Sequence, residues 1–486
     1  MRIAIVGAGI SGMTAAYRLS RDHEVTVFEA GDTFGGHTYT RDVELQGRPY
    51  AVDMGFIVFN DWTYPRFIAL LDELGVASQS SNMSFSVSCE KTGLEYNGTS
   101  LNALFAQRKN IVNPMFLRMI ADILRFNRLS RAVLKQEDRG VTLGAFLQEH
   151  GFSRAFTEYY VVPMGRAIWS ATEEAMLSCP IHFFVEFFDR HGFLNINDRP
   201  TWRAIKGGSR EYAKKLVAAY KQRMRVGTPV VGVQRQADGV VVRTKRGDVE
   251  RFDYVVFACH SDAALKMLDP PTPLECELLS AFPYQENDVV LHTDTRMLPR
   301  LPLARAAWNY HNLVRNHERV AVTYDMNILQ TIESPETFMV TLNRTAEIDP
   351  RKILHRVALD HPVYTPGAVA AQRRRLEISG VNRTAYCGAY WRYGFHEDGC
   401  VSGEWAAEDV RRAIAVKERP ADGGGLRERR ESVHGGSSAG IPGGGDSLAS
   451  RHPQDASTVA SVGSAASVAS AVAVASVALE SSLSRV

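Results

Sequence analysis

The feature that most constrains the fold is the first stretch of the chain, where three glycines follow a short apolar segment. Residues 2–6 read RIAIV, which is typical of a buried strand, and residues 7–12 read GAGISG. In a strand–turn–helix unit of this kind, Gly7 permits the sharp turn, Gly9 lets the backbone approach a pyrophosphate, and Gly12 lets the helix pack closely on the sheet. We therefore predict a dinucleotide site at this turn, against the competing interpretation of an ordinary glycine turn.

The acidic residue after the second predicted strand narrows the choice of dinucleotide. Residues 24–28 (EVTVF) form this strand, and Glu29 follows directly. A carboxylate at that position accepts hydrogen bonds from the ribose hydroxyls of adenosine and repels a ribose 2′-phosphate. The pattern therefore disfavours NADP and leaves NAD or FAD.

Net charge and cysteine spacing argue against nucleic-acid binding and against a metal site. The 486 residues have a formal net charge of +2, so nothing in the composition calls for nucleic acid as a partner. The six cysteines form no CxxC pair and no metal-ligand spacing, which predicts no metal site and fits a reducing compartment. No secretory signal is visible, because the first apolar residues already belong to the first strand. We expect a cytoplasmic protein.

Strand patterns return after a long helical stretch. Residues 102–149 have apolar residues at helical spacing, and strands are predicted at 226–233, 239–244 and 251–259. A nucleotide-binding domain interrupted by insertions explains this order. The predicted domains are a discontinuous FAD-binding domain (1–80, 200–265 and 376–416), a substrate domain with a helical insertion (81–199 and 266–375), and a disordered tail rich in Gly, Ser and Ala (420–486).

Two features leave alternatives open. Arginines accompany the apolar stripe near residues 116–135, and such a helix either lies peripherally on a membrane or packs on a neighbour with its arginines in solvent. Residues 183–188 (FFVEFF) either line an apolar substrate cavity or belong to an ordinary core. The pattern therefore allows a peripheral membrane contact and a lipid substrate without requiring either.

Over residues 1–416 the chain resembles the FAD-dependent amine oxidase superfamily, which includes monoamine oxidases, protoporphyrinogen oxidase and phytoene-type desaturases. The resemblance rests on the glycine motif with Glu29, on the pair Gly35 and Gly36, and on residues 394–403 (GFHEDGCVSG). It implies FAD as the cofactor. It also implies an α/β fold of the amine oxidase / p-hydroxybenzoate hydroxylase type, with a discontinuous Rossmann-type FAD-binding domain and an inserted mixed-sheet and helical substrate domain.

The resemblance assigns a site residue by residue. Ser11 and Gly12 would border the pyrophosphate, and Gly36 and His37 the region between phosphate and ribityl chain. Val230 would pack near the adenine, and residues 397–400 would cover the pyrimidine ring of the flavin. The implied cofactor-binding residues are Gly7, Gly9, Ser11, Gly12, Glu29, Gly36, His37, Val230, Glu397, Asp398 and Gly399, and the implied catalytic residues are Phe395 and His396.

Two positions depart from the superfamily pattern. His37 stands where many members carry an arginine, and an imidazole is a weaker phosphate partner than a guanidinium. Of the two aromatic positions that flank the flavin in amine oxidases, only one is matched, by Phe395, and no flavin-facing lysine is identified. These departures disfavour amine oxidation as the reaction.

More closely, the chain resembles flavin oxidoreductases encoded beside cyclopropane-fatty-acyl-phospholipid synthases. This subgroup implies a two-electron, desaturation-type oxidation of an apolar, fatty-acyl substrate. A flavin amine oxidase acting on a small amine, and a flavin-bound accessory subunit of a lipid-modifying methyltransferase, are the alternatives. The matching segments are 53–60 (DMGFIVFN), 199–202 (RPTW), 207–210 (GGSR), 291–294 (LHTD), 326–330 (MNILQ), 361–364 (HPVY) and 394–399 (GFHEDG).

Overall fold

The chain folds into alternating strands and helices, as seen in a computed structural model that describes residues 1–137, 140–195, 198–314 and 319–418. The tail for which disorder is predicted, 420–486, lies outside these residues. The strands are β1 (Arg2–Val6), β2 (Glu24–Phe28), β3 (Thr40–Leu45), β4 (Arg48–Asp53), β5 (Val58–Asn60), β6 (Ser78–Ser80), β7 (Phe85–Cys89), β8 (Glu95–Asn97), β9 (Trp202–Ile205), β10 (Met224–Arg225), β11 (Val230–Arg235), β12 (Val240–Thr244), β13 (Val249–Phe252), β14 (Tyr254–Phe257), β15 (Leu268–Asp269), β16 (Tyr284–His292), β17 (Trp308–Asn312), β18 (Val322–Asp325), β19 (Met339–Leu342), β20 (Ile353–Pro362) and β21 (Thr384–Tyr386). The α-helices are α1 (Ile10–Leu19), α2 (Pro65–Glu73), α3 (Leu101–Leu104), α4 (Pro114–Val133), α5 (Leu143–Glu149), α6 (Arg154–Phe156), α7 (Val162–Trp169), α8 (Glu173–Ser178), α9 (Ile181–Arg190), α10 (Arg210–Ala218), α11 (Ser261–Met267), α12 (Pro273–Ser280), α13 (Met326–Leu329), α14 (Pro366–Gln372) and α15 (His396–Glu418).

The first sheet is parallel, with five strands in the order β10-β2-β1-β14-β21. Successive side chains of a strand point to opposite faces, so Ile3 and Ile5 are buried against α1, α2, α10 and α15. Ala4 and Val6 are buried on the other face, against β11–β13, α11 and α12. Because both faces are covered, β1 is an apolar run rather than an alternating one.

Close helix packing holds α15 against α1 at the carboxyl end of this sheet. A Cβ atom at Gly12 would lie 2.0 Å from the carbonyl oxygen of Gly7, so α1 can approach the turn only with glycine there. On α15, a Cβ at Gly399 would lie 2.5 Å from Cγ2 of Ile10, and one at Gly403 would lie 2.4 Å from the Ser11 oxygen. The N-terminus of α15 is therefore fixed beside the glycine turn.

A seven-stranded mixed sheet, in the order β20-β16-β19-β18-β17-β7-β8, forms a second core together with α4–α9. The aromatic run lies on α9, where Phe184, Phe187 and Phe188 are buried in this core. No helix among the described residues is long and apolar enough to cross a membrane.

The helical region predicted at 102–149 is divided into shorter pieces. A 3₁₀ turn, Arg108–Val112, separates α3 from α4. The Asn113 side chain caps α4 by accepting the N–H of Met115 at 3.1 Å, and Pro114 occupies the first turn, where a missing N–H costs nothing. The strand predicted at 226–233 begins only at Val230, because residues 226–229 form the turn that leads into it.

Candidate functional site

One cavity of about 820 Å³ is lined by the glycine turn on one side and by strands of the seven-stranded sheet on the other. Predicted site residues from five separate stretches of chain meet there. Those that line the cavity are Gly7, Gly9, Ser11, Glu29, Gly36, His37, Val230, Phe395 and His396.

The other predicted site residues lie behind the cavity wall and shape the start of α15. The carboxylate of Glu397 accepts the backbone N–H groups of Arg66 (3.0 Å) and Phe67 (2.8 Å), so it caps the first turn of α2. Asp398 accepts the N–H of Phe395 at 2.9 Å, and burial raises the pKa of Asp398 to about 6. Gly12 and Gly399 make the close contacts between α1 and its neighbours. These residues are not among those that line the cavity.

The nucleotide end of the cavity is formed by backbone at two glycine positions. A Cβ placed on Gly9 has no heavy atom within 4 Å, so the backbone there is open to the cavity at the N-terminus of α1. Gly36 comes from the following loop, and a Cβ on it would lie 3.1 Å from Cα of Gly9. The carboxylate of Glu29 is fixed by the N–H groups of Ala8 (2.8 Å) and Gly31 (2.7 Å). The N-terminus of α1 and the backbone of Gly36 lie close together here, and this arrangement fits the pyrophosphate of a dinucleotide.

Three uncharged imidazoles lie beside this end. The ring of His37 is 5.3 Å from that of His361, whose Nδ1 accepts the amide of Asn287 at 2.9 Å. Burial lowers the pKa of His37 to about 4 and that of His361 to about 3, and it also lowers the pKa of His260, which stacks on Tyr284. Nε2 of His37 is buried and has no hydrogen-bond partner within the part of the chain that the structure describes. Buried polar atoms are nearly always paired in native proteins, so this nitrogen fits a polar ligand in the cavity.

His396 is the first residue of α15 and faces the cavity from a rigid setting. Its ring stacks on Phe56 with centroids 3.6 Å apart, and its Nε2 lies 2.7 Å from the Tyr212 hydroxyl and 3.1 Å from Oγ1 of Thr38. Burial holds the pKa of His396 well below its usual value, so the imidazole is neutral. Phe395 beside it packs on Phe187, with ring centroids 5.0 Å apart.

The opposite end of the cavity is apolar and aromatic. The Tyr364 hydroxyl and Nε1 of Trp308 are buried at this end and have no hydrogen-bond partner among the described residues. Among the described lining residues, the charged ones are Glu29, Lys266 and Asp360, and none of them belongs to this end. Side chains that form this end include Met83, Trp169, Trp202, Val289, Trp308 and Tyr324.

A buried hydrogen-bond network behind the cavity wall connects segments that are far apart in the sequence. Asp53 is fully buried and accepts the N–H and the hydroxyl of Ser209, at 3.0 and 2.8 Å. Nε2 of Gln330 also donates to Asp53, at 2.9 Å. Burial raises the pKa of Asp53 to about 6. The segments at 53–60, 207–210 and 326–330 therefore meet at one carboxylate, which anchors the cavity wall at Met54–Val58.

Three polar residues outside the cavity lining, Asn327, Gln372 and His191, support the structure instead. Asn327 holds the turn before Phe338, and Gln372 donates to the carbonyl of Tyr390 at 2.8 Å. His191 stacks on Phe187 outside the cavity lining. The contacts around His396 were missed by sequence reasoning, because Thr38, Phe56 and Tyr212 belong to different elements and carry no local motif.

Comparison with known proteins agrees with this architecture. Residues 10–318 match the family model of flavin containing amine oxidoreductases. The chain is 24% identical over 295 residues to a putative flavin-containing monoamine oxidase AofH of Mycobacterium tuberculosis, covering 57% of this chain and 61% of the relative. The chain thus spans about three fifths of the length of this curated relative.

Solved structures show the same fold at low sequence identity. Cyclohexylamine oxidase from Brevibacterium oxydans superposes with a TM-score of 0.64 at 16% identity, covering 86% of this chain and 99% of that one. The CLA-producing fatty acid isomerase from P. acnes superposes with a TM-score of 0.59 at 16% identity, covering 85% and 98%. The predicted α/β fold, with its discontinuous Rossmann-type domain and inserted mixed sheet, is confirmed.

Proposed function

The chain belongs to the flavin-containing amine oxidoreductase family, with FAD as its cofactor, and from this premise we propose that it is an oxidoreductase that removes two electrons from an apolar, fatty-acyl substrate. The proposed reaction is of the desaturation type. The residues proposed to hold FAD are those that line the nucleotide end of the cavity, together with the N-terminus of α15.

The observation that carries the substrate class is the absence of charge at the apolar end of the cavity. Glu29 is bound to the N–H of Ala8, Lys266 lies on α11 and pairs with Asp262 at 2.7 Å, and Asp360 adjoins His361. None of the described residues at the other end could therefore neutralise an ammonium group. A buried cation without a counter-ion is costly, whereas burial of an acyl chain is favourable.

The shared fold is compatible with such a substrate. The fatty acid isomerase that superposes on this chain is named for an acyl substrate, and the amine oxidases are named for amines. The fold is therefore compatible with both classes, and the uncharged lining of the apolar end supports the acyl substrate.

Within this proposal the protein residues bind, orient and exclude water. When bound, FAD supplies the two-electron acceptor. The N-terminus of α1 and the open backbone at Gly9 would bind its phosphates, and Glu29 would bind a ribose. His37 lines the same end of the cavity. Phe395 and His396 remain the proposed catalytic residues. Phe395 lines the cavity, the hydrogen bonds and stacking of His396 fix the orientation of its imidazole, and burial keeps that imidazole neutral.

The test is reduction of the bound flavin without oxygen. Purified protein loaded with FAD is mixed anaerobically with phospholipids that carry saturated, unsaturated or methylated acyl chains, and separately with a panel of amines. We expect bleaching of the flavin absorbance by an acyl lipid and none by amines. Bleaching by amines alone would show that the protein is an amine oxidase and that the apolar wall does not select the substrate.

A polar substitution in the apolar wall tests the same idea within the protein. Met83→Gln places an amide at the apolar end with little change of volume, and we expect slower reduction by lipid with unchanged FAD binding. Leu354→Gln is the matched control, because Leu354 is 39% exposed on β20 and does not line the cavity. Equal rates for both variants would contradict the proposed position of the acyl chain.

A further inference from the structure

The surface formed by residues 101–136 has a strong excess of positive charge. It contains seven basic residues and one acidic residue, Asp122. Asp122 is buried and lies 3.2 Å from the guanidinium of Arg118, so it adds no free negative charge to the surface. Lys109 and Arg128 are exposed and have no partner among the described residues. The basic residues are Arg108, Lys109, Arg118, Arg125, Arg128, Arg131 and Lys135.

Large apolar side chains are exposed within the same surface. Ile111 is 51% exposed, Val112 is 78% exposed and Met115 is 37% exposed, and all three lie on the 3₁₀ turn before α4 or on its first turn. Single exposed apolar residues are ordinary, but three within five positions form a patch. Lys109 precedes the patch and Arg118 follows it by one helical turn.

The opposite face of α4 packs in the protein core. Phe116, Met119 and Ile123 are completely buried against the neighbouring helices. Because this face packs in the core, the basic and apolar side chains on the other side point into solvent. The patch is a surface, not an incompletely packed core.

We propose that this surface docks on a bilayer that contains anionic lipids. Apolar side chains insert below the headgroups while neighbouring lysines and arginines are attracted by anionic lipid, so a bilayer engages both parts of the surface. A nucleic acid would engage the charge alone and leave Ile111 and Val112 in water. The inference does not depend on the proposed substrate, because docking is measured without turnover.

The experiment is flotation of the full chain, loaded with FAD, with vesicles of phosphatidylcholine with and without phosphatidylglycerol. We expect flotation with the anionic vesicles, little with the neutral ones, and weakening as salt screens the charges. Lys109→Gln combined with Arg128→Gln removes two exposed positive charges that have no partner among the described residues, and at about 1 kcal/mol per charge the partition coefficient should fall about 30-fold. Ile111→Ser combined with Val112→Ser should also reduce binding.

Matched controls carry the same changes on other surfaces. Lys221→Gln combined with Lys245→Gln removes two exposed charges elsewhere, and Val249→Ser removes an apolar side chain that is 64% exposed. Both should float like the unmodified protein, and all variants should retain bound flavin. Equal binding by every variant, no binding to anionic vesicles, or competition by an oligonucleotide that displaces the vesicles would overturn the proposal.

Discussion

Replacing Gly9 by alanine tests whether this glycine is needed for binding FAD, as we propose, rather than for the stability of the fold. Gly9 has φ of −73° and ψ of −179°, which alanine adopts without strain, and a Cβ there meets no heavy atom within 4 Å. The protein without cofactor should therefore be as stable as before, or more stable by about 0.4–1 kcal/mol, because alanine restricts the unfolded chain. The added methyl group would occupy the space in which we place the pyrophosphate.

We expect Gly9→Ala to lower the affinity for FAD without lowering the stability of the cofactor-free protein. A hydrogen bond to a charged group contributes about 1.5–3 kcal/mol, so displacing one phosphate contact should weaken FAD binding about 10- to 150-fold. The measurement is titration of the cofactor-free protein with FAD, followed by flavin fluorescence, alongside urea unfolding of the same preparation. The matched control is Gly12→Ala, whose Cβ would lie 2.0 Å from the Gly7 oxygen. Forcing α1 away from the turn should cost stability, by about 1–3 kcal/mol or more.

The two variants should therefore show opposite profiles. Gly9→Ala is expected to keep its stability and lose affinity, and Gly12→Ala is expected to lose stability first. Wild-type affinity for FAD in Gly9→Ala would refute the placement of the pyrophosphate at this turn. A large loss of stability in the cofactor-free Gly9→Ala protein would refute the claim that the space beside Gly9 is empty of protein atoms.

Three further predictions concern buried polar groups. Nδ1 of His292 accepts the N–H of Asp294, and burial lowers the pKa of His292 from 6.5 to about 4. The unfolded chain then binds more protons between these values, so stability should fall by up to about 3 kcal/mol as pH is lowered through this window, and His292→Asn should show a shallower pH dependence in urea unfolding. Arg375→Met should cost at most about 3–5 kcal/mol, because the buried carboxylate of Asp409 loses the guanidinium 2.6 Å away and keeps that of Arg412, at 2.5 Å; adding Asp409→Leu should recover most of the loss. Asp53→Asn puts an amide donor where Ser209 and Gln330 now donate, and a loss of about 1–3 kcal/mol is expected, with Asp72→Asn, on the exposed face of α2, as a neutral comparison. Unchanged unfolding curves in any of these variants would contradict the corresponding contact.

The glycine motif and the fold class could be read from the sequence because their information is local. The turn after β1 depends on backbone geometry within six residues, and strand and helix periods are visible in short windows. The segment at 394–403 was also recognised, but its residues divide into two roles. Phe395 and His396 line the cavity, whereas Glu397 and Asp398 cap helix ends, a distinction that sequence spacing does not make.

The sequence by itself determined a dinucleotide-binding turn, its alternation of strands and helices, and the resemblance that points to FAD. Only the tertiary structure brought His37, His260 and His361 together, placed Thr38 and Tyr212 around His396, and left one end of the cavity without a charged side chain among the described residues. These contacts join residues up to several hundred positions apart, and no local pattern encodes such pairs. They are set by the packing of α15 on α1 and of the two sheets around the cavity. The first twenty-nine residues therefore indicate an adenine dinucleotide, residues 394–403 narrow it to FAD, and the proposed substrate class depends on the assembled wall.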